Sequence, residues 1–308
     1  MGGVLAGFAT IIALIALGVL LAQLRVLDLE AQKVLSRLAF YVASPALMVV
    51  TLAGADVHQV LSANLVASAA AFAVTAGLYV VASRLAFRHD LARTTVGALS
   101  AAYVNAGNLG LPIAAYVLGD AALVAPTWLL QLLLLQPLAL VALDVGVADH
   151  RPPLRRVLLR PLSTPLTVGS LVGLALSLTG LRIPTLVADP LQLVAGMAVP
   201  AMLIAYGISL RLGPRPGAGA GAGELAVITA LKVVVMPATA YLVGRFALGM
   251  DGASLLAVTV LAALPTAQNI FVHATRYDRG VVIARDAIFA TTALSVPVIA
   301  LIAAILTL

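Results

Sequence analysis

Apolar residues run through this chain in stretches of about twenty, closed by short polar or Gly/Pro punctuation, and two of these stretches are broken by proline beside side-chain amides. About 20 apolar residues is the length of one helical bilayer crossing. Inside hydrocarbon every backbone polar group must be satisfied by the protein, which restricts such stretches to helices. Of 308 residues, 62% are hydrophobic and 10% charged, with a mean hydropathy of +1.12. An ordinary soluble domain is about a quarter charged, and no soluble fold of this length hides so much apolar surface. The composition predicts an all-α polytopic membrane protein in the inner or plasma membrane.

Ten spans are read, near 4–24, 32–53, 63–86, 94–118, 121–143, 162–180, 190–210, 224–247, 252–275 and 283–307. The first reads as a retained span, since Met1 to Ala22 has no basic region before its apolar run. Charge tests the count. Fifteen of the 18 Lys and Arg residues fall in the odd-numbered connections, among them Arg25, Arg88, Arg155, Arg211 and Arg285. The positive-inside rule makes those connections cytoplasmic and places both termini outside. The same clustering accounts for the net charge of +6 without any nucleic-acid partner. With no cysteine, disulfides and thiolate metal sites are excluded. The run Gly213 to Gly223 reads as a flexible linker.

Five spans per half imply a 5+5 inverted repeat, with halves 1–150 and 151–308. Ala43-Ser-Pro45-Ala46 in span two parallels Ala198-Val-Pro200-Ala201 in span seven. Pro45 precedes Pro112 by 67 residues, and Pro200 precedes Pro265 by 65. Pro45 and Pro200 are read as kinks that shape a scaffold.

The breaks are Asn105-Ala-Gly-Asn108-Leu-Gly110-Leu-Pro112 in span four and Leu264-Pro265-Thr-Ala-Gln268-Asn269 in span nine. Proline removes a donor and clashes with the preceding turn. Matching breaks in two halves point to a substrate site near the midplane. Each break creates half-helix N-termini whose free N–H groups favour an anion. Asn105, Asn108, Gln268 and Asn269 add amides, and Gly110 permits the unwound backbone. That chemistry suits a carboxylate-bearing organic anion. Lys232, the one basic residue well inside a span, either faces the anion, pairs with a carboxylate, or snorkels to an interface. His273 either packs or titrates. Trp128 is read as a lipid or helix contact. No HExxH pattern or Ser/His/Asp set at membrane depth suggests an enzyme, no metal site or cofactor is read, and a receptor is the remaining non-carrier alternative.

The residues Asn105 to Pro112, the run Pro161 to Leu210 with Pro165, Pro184, Pro200 and Gly207, Lys232 with Pro237, and Ala263 to Tyr277 together resemble the auxin efflux carrier family. The resemblance implies ten helices with spans four and nine crossing at their breaks. It implies a scaffold of spans one, two, six and seven carrying a moving unit of three, four, five, eight, nine and ten. It further implies an elevator-type movement, a small organic anion at the crossing and a homodimer. The wider fold is shared with sodium-coupled bile-acid transporters, which keeps a sodium-coupled symporter as the alternative and leaves H+ or Na+ open as the coupling ion. The chain lacks the long cytoplasmic loop of plant members, which argues against auxin as its substrate.

Overall fold

The computed structural model describes residues 2–54, 63–110, 113–114, 118, 121–147, 165–213 and 221–307. All regular structure among them is helical: α1 Gly2–Gln23, α2 Leu29–Ala53, α3 Ala63–Phe87, α4 Leu91–Ala102, α5 over 121–147, α6 Pro165–Thr179, α7 Thr185–Leu212, α8 Ala222–Ala247, α9 Gly252–Ala262, α10 Asn269–Tyr277 and α11 Val281–Thr307. Among the described residues, α2, α3, α7, α8 and α11 are each long and apolar enough to cross a bilayer. By contrast α4 and α9, of 12 and 11 residues, reach only about half the ~30 Å hydrocarbon at 1.5 Å per residue. Both stop at the proline-marked breaks that the sequence singles out.

Helix starts follow local chemistry. Asp28 accepts from the Ala31 N–H at 2.8 Å, and Asp90 from the Arg93 N–H at 2.7 Å, capping α2 and α4. Within three long helices a single wide turn precedes a proline. The N–H of Ser44 donates to the Ala39 carbonyl five residues back, Gln136 to Gln131, and Met236 to Leu231. Pro45, Pro137 and Pro237 come next in each case. The wide turn makes room for the ring that would otherwise strike the carbonyl four residues back. These helices therefore continue past their prolines.

Several helix pairs touch backbone to backbone, α1 with α7 and α2 with α6 among them. A Cβ on Gly207 of α7 would collide with the Ile15 carbonyl of α1 and come within 2.9 Å of the Gly18 Cα. A Cβ on Gly173 of α6 would lie 2.9 Å from the Met48 carbonyl and 2.8 Å from the Leu52 Cβ of α2. Helices in lipid gain association mainly from such close approach, because lipid is as apolar as leucine. The larger buried clusters are centred in the other helices, the first of them reaching Met48 and Leu52 of α2 and Leu203 of α7. One gathers Leu109, Trp128, Met236, Leu261 and Leu264 of α5, α8, α9 and the two breaks. A second gathers Tyr79, Leu99, Ile228, Ile270 and Ile283 of α3, α4, α8, α10 and α11. A buried carboxylate ties this set together: Glu224 of α8 accepts from Tyr79 of α3 and from Arg93 of α4, each at 2.7 Å. Aromatic and apolar seams join the two groups, with Phe40 and Met202 against Val272, and Tyr206 against Phe271.

One expectation needs correction. Arg285, assigned to a connection, lies inside α11, 1% exposed, where its guanidinium donates to Asp286 at 2.8 and 2.6 Å. A buried ion pair satisfies itself locally, so this charge is met within the protein. The linker prediction lies largely outside the described residues; α8 begins at Ala222.

Candidate substrate site

At Pro265 the missing N–H forbids the next helical bond, and α9 closes with Leu264 N–H on the Leu261 carbonyl at 3.3 Å. On the other side Tyr103 turns extended, with φ −87° and ψ 110°, and ends α4. The two unwound strands then pair with each other. Val104 and Thr266 form an isolated antiparallel bridge. The Asn105 N–H donates to the Pro265 carbonyl at 2.9 Å, and the Ala267 N–H to the Tyr103 carbonyl at 3.1 Å. Main-chain groups that lipid would orphan thus find partners across the crossing.

Side chains settle several of the others. Gln131 of α5 donates to the Val104 carbonyl at 2.9 Å, and Thr266 to the Ser100 carbonyl at 2.6 Å. The Thr266 N–H reaches the Thr291 hydroxyl of α11 at 3.1 Å. Asn105 donates to Gln268 at 2.7 Å, linking the breaks through their amides. The chain then re-enters helical geometry on each side, through a wide turn at Ala106–Gly110 and through α10 from Asn269.

A cavity of about 70 Å³ opens on this crossing. At ~10–15 Å³ per water it has room for about five waters. Asn105, Gln268 and Asn269 line it from the breaks, and Tyr103, Gln131 and Gln136 extend the polar wall. The Tyr103 hydroxyl donates to the Gln136 carbonyl oxygen at 3.1 Å. The opposite wall comes from α2 and α7, with Phe40, Ser44, Met48 and Met202. The pocket therefore lies between the two helix groups. It shares Phe40 and Val272 with a larger cavity of about 910 Å³, which carries Lys33, Arg37, Arg276 and Arg285 together with Glu30 and Asp278. The Arg276 guanidinium lies 4.5 Å from the centre of the Phe40 ring, a cation–π contact at the partition.

Of the residues singled out in the sequence, Asn105, Gln268 and Asn269 come together on the cavity, and Pro265 supplies a carbonyl to the crossing. Gly110 packs behind it: a Cβ there would sit 2.7 Å from the Val124 side chain. Asn108 belongs to the wide turn, but its side chain lies outside the described residues, as does Pro112 altogether. Pro45 is contacted by Gly169, whose Cβ would come 3.0 Å from its Cα, and Pro200 sits in the first turn of the second segment of α7. Lys232 is 0% exposed and away from the cavity wall. Its ammonium meets the Met236 sulfur at 3.0 Å and the carbonyl of Ala262, the last residue of α9, at 3.4 Å. Its donor thus meets the carbonyl end of a half-helix, and full enclosure among protein atoms is not the setting of a snorkelling side chain.

Trp128 makes the expected helix contact, packed in the cluster with Leu109 and Leu264, and lines the cavity as well. It is 7% exposed and forms part of the cavity wall, with its ring 3.3 Å from where a Cβ on Gly107 would be. Sequence reasoning also passed over Gln131, Gln136 and Tyr103. The signal was available: two amides inside an apolar span need partners that lipid does not offer. Among the described residues no group of three or more His, Cys, Asp or Glu stands together to hold a metal ion.

The family described as "Membrane transport protein" matches residues 4–151 and 150–303. A protein of Rhizobium meliloti (strain 1021) named "Putative malonate transporter" is 26% identical over 296 residues, covering 92% of this chain and 89% of the relative. With the match spanning both halves, the chain belongs to the membrane transport protein family, that of the auxin efflux carriers it resembles.

Proposed function

We propose that this protein is a secondary transporter that carries a small organic anion of the malonate type by elevator-like alternating access. The observation that carries the reading is the amide-lined cavity where two interrupted helices pair backbone to backbone between two helix groups. Asn105, Gln268 and Asn269 bind carboxylate oxygens, with the N-terminal end of α10 adding its dipole. Pro265 and Gly110, with Asn108 and Pro112, form the breaks.

The ten spans are α1, α2, α3, α4 with the segment after its break, α5, α6, α7, α8, α9 with α10, and α11. An inverted 5+5 repeat, 1–150 and 151–308, is supported by packing. Gly207 lies seven residues after Pro200 and meets α1, and Leu52 lies seven after Pro45 and meets α6. The scaffold is α1, α2, α6 and α7, through which two copies dimerise. The remaining helices move, and both termini face outside. The vestibule then lies on the cytoplasmic side, where Arg37 and Arg276 draw anions toward Phe40.

The sodium-coupled bile-acid alternative is less well supported. Among the described residues the cavity wall carries no carboxylate, and about 70 Å³ does not admit a steroid. The test is uptake of labelled malonate by proteoliposomes, with and without sodium, for wild type, Asn105→Ala and Asn269→Ala. Losing one hydrogen bond to a charged oxygen costs about 1.5–3 kcal/mol, so each variant is expected to raise the half-saturating concentration at least about tenfold. Unchanged saturation in both variants removes the site assignment, and the absence of any saturable carboxylate uptake removes the proposal.

A further inference from the structure

His273 projects from α10 into the same cavity wall as the amides, 2% exposed. Both ring nitrogens are buried, and neither has a hydrogen-bond partner. The imidazole is held by a ring contact instead, edge-on to Phe40 at 5.6 Å. A buried polar group without partners is costly. Two unmet nitrogens on a cavity wall are a site prepared for something that enters the cavity.

The charge pattern says what enters with them. Among the described residues, the wall of the cavity holds amides, hydroxyls and apolar groups but no carboxylate, lysine or arginine. An anion taken into such a site without a compensating charge pays a desolvation penalty of several kcal/mol. The titratable and charged groups of the surrounding elements are Glu30, Lys33, Arg37 and Tyr41 of α2, Arg93 of α4, Asp189, Tyr206 and Arg211 of α7, Arg285 and Asp286 of α11, Tyr103 at the crossing, and Arg276 and Tyr277 on α10 itself. Of these only Tyr103 shares the cavity wall, and its hydroxyl is engaged with Gln136. Arg276 is turned to Phe40 and Tyr41 on the vestibule side. Lys232 is enclosed against Met236 and Ala262. His273 is therefore the group on this wall with a free base nitrogen to take up a proton when an anion supplies the compensating charge.

We propose that His273 is the proton site of the cavity: one proton from water binds its imidazole as the anion binds, and the two occupy the site and cross together. This rests on the carboxylate-carrier reading above. By linkage, whatever helps the proton bind helps the anion to the same degree. Where the free protein is unprotonated and the complex protonated, anion affinity falls tenfold for each unit of rising pH.

The experiment is calorimetric titration of malonate into the purified full-length protein, at pH 6, 7 and 8, in buffers of differing ionisation enthalpy. Wild type is expected to take up about one proton per malonate. His273→Gln, checked for a monodisperse elution profile, is expected to take up none and to lose its pH dependence. A second measurement needs no variant: the ¹⁵N signals of the His273 ring should change from imidazole to imidazolium on addition of malonate. Malonate binding without proton uptake in wild type overturns the proposal and leaves the carrier reading intact. Uptake that persists in His273→Gln also overturns it, since the proton then rides on another group. Absence of carboxylate binding in wild type overturns both.

Discussion

Thr266 offers the sharpest test of how the crossing is held. It is 0% exposed, its hydroxyl donates to the Ser100 carbonyl at 2.6 Å, and its N–H donates to the Thr291 hydroxyl at 3.1 Å. Thr291 has one proton to give, and the nearest acceptor is the Ala287 carbonyl at 2.7 Å. Its lone pair thereby remains for the Thr266 N–H. Thr266→Val keeps the shape and leaves the Ser100 carbonyl without that donor, at about 1–3 kcal/mol. The methyl that replaces the hydroxyl returns up to about 0.8 kcal/mol. The net loss is about 1–2 kcal/mol. Thr291→Val instead orphans a main-chain N–H at a similar cost. At roughly 2–4 °C per kcal/mol for chains of this size, each variant should lower the detergent-solubilised unfolding midpoint by about 2–8 °C. Thr266→Ser restores the donor and should recover most of the loss. Scanning fluorimetry on the three variants decides the matter. Midpoints for both valine variants within a degree of wild type would refute the claim that these hydroxyls satisfy the interrupted backbone.

Gly207→Ala should lower the midpoint in the same assay by an amount equivalent to about 1–3 kcal/mol, because the new methyl meets the backbone of α1. Gly77→Ala, with nothing within 4 Å of its Cβ, should instead be neutral or stabilising by up to about 1 kcal/mol; the same sign in both would count against the close α1–α7 contact. Lys232→Met should leave malonate affinity within about twofold of wild type, since the ammonium touches Ala262 and not the cavity; a tenfold loss by calorimetry would place it in the site after all.

The sequence made the helices legible because hydrophobic length and proline placement act locally. The ends of the helices fall within a few residues of the spans read from apolar runs, and both interruptions come where Pro265 and the Asn105 segment mark them. Side-chain partners were less visible. Lys232 looked like a ligand because charge in a span is costly, yet the structure satisfies it against a helix end formed thirty residues later by α9. Trp128 sits among apolar neighbours in the chain, and only the turn at Gly107 shows that it faces the cavity. Phe40 and Met202 belong to the wall through packing between helices far apart in sequence. No local pattern carries that information.

Because each interrupted helix completes the other through its own peptide groups, the crossing cannot come apart without exposing amides to oil. The two breaks are thereby a single piece of the fold. The seam between the helix groups is of another kind: Phe40 and Met202 meet Val272 through greasy contact, beside a hydrogen bond from the Tyr206 hydroxyl to the Arg285 carbonyl at 2.9 Å.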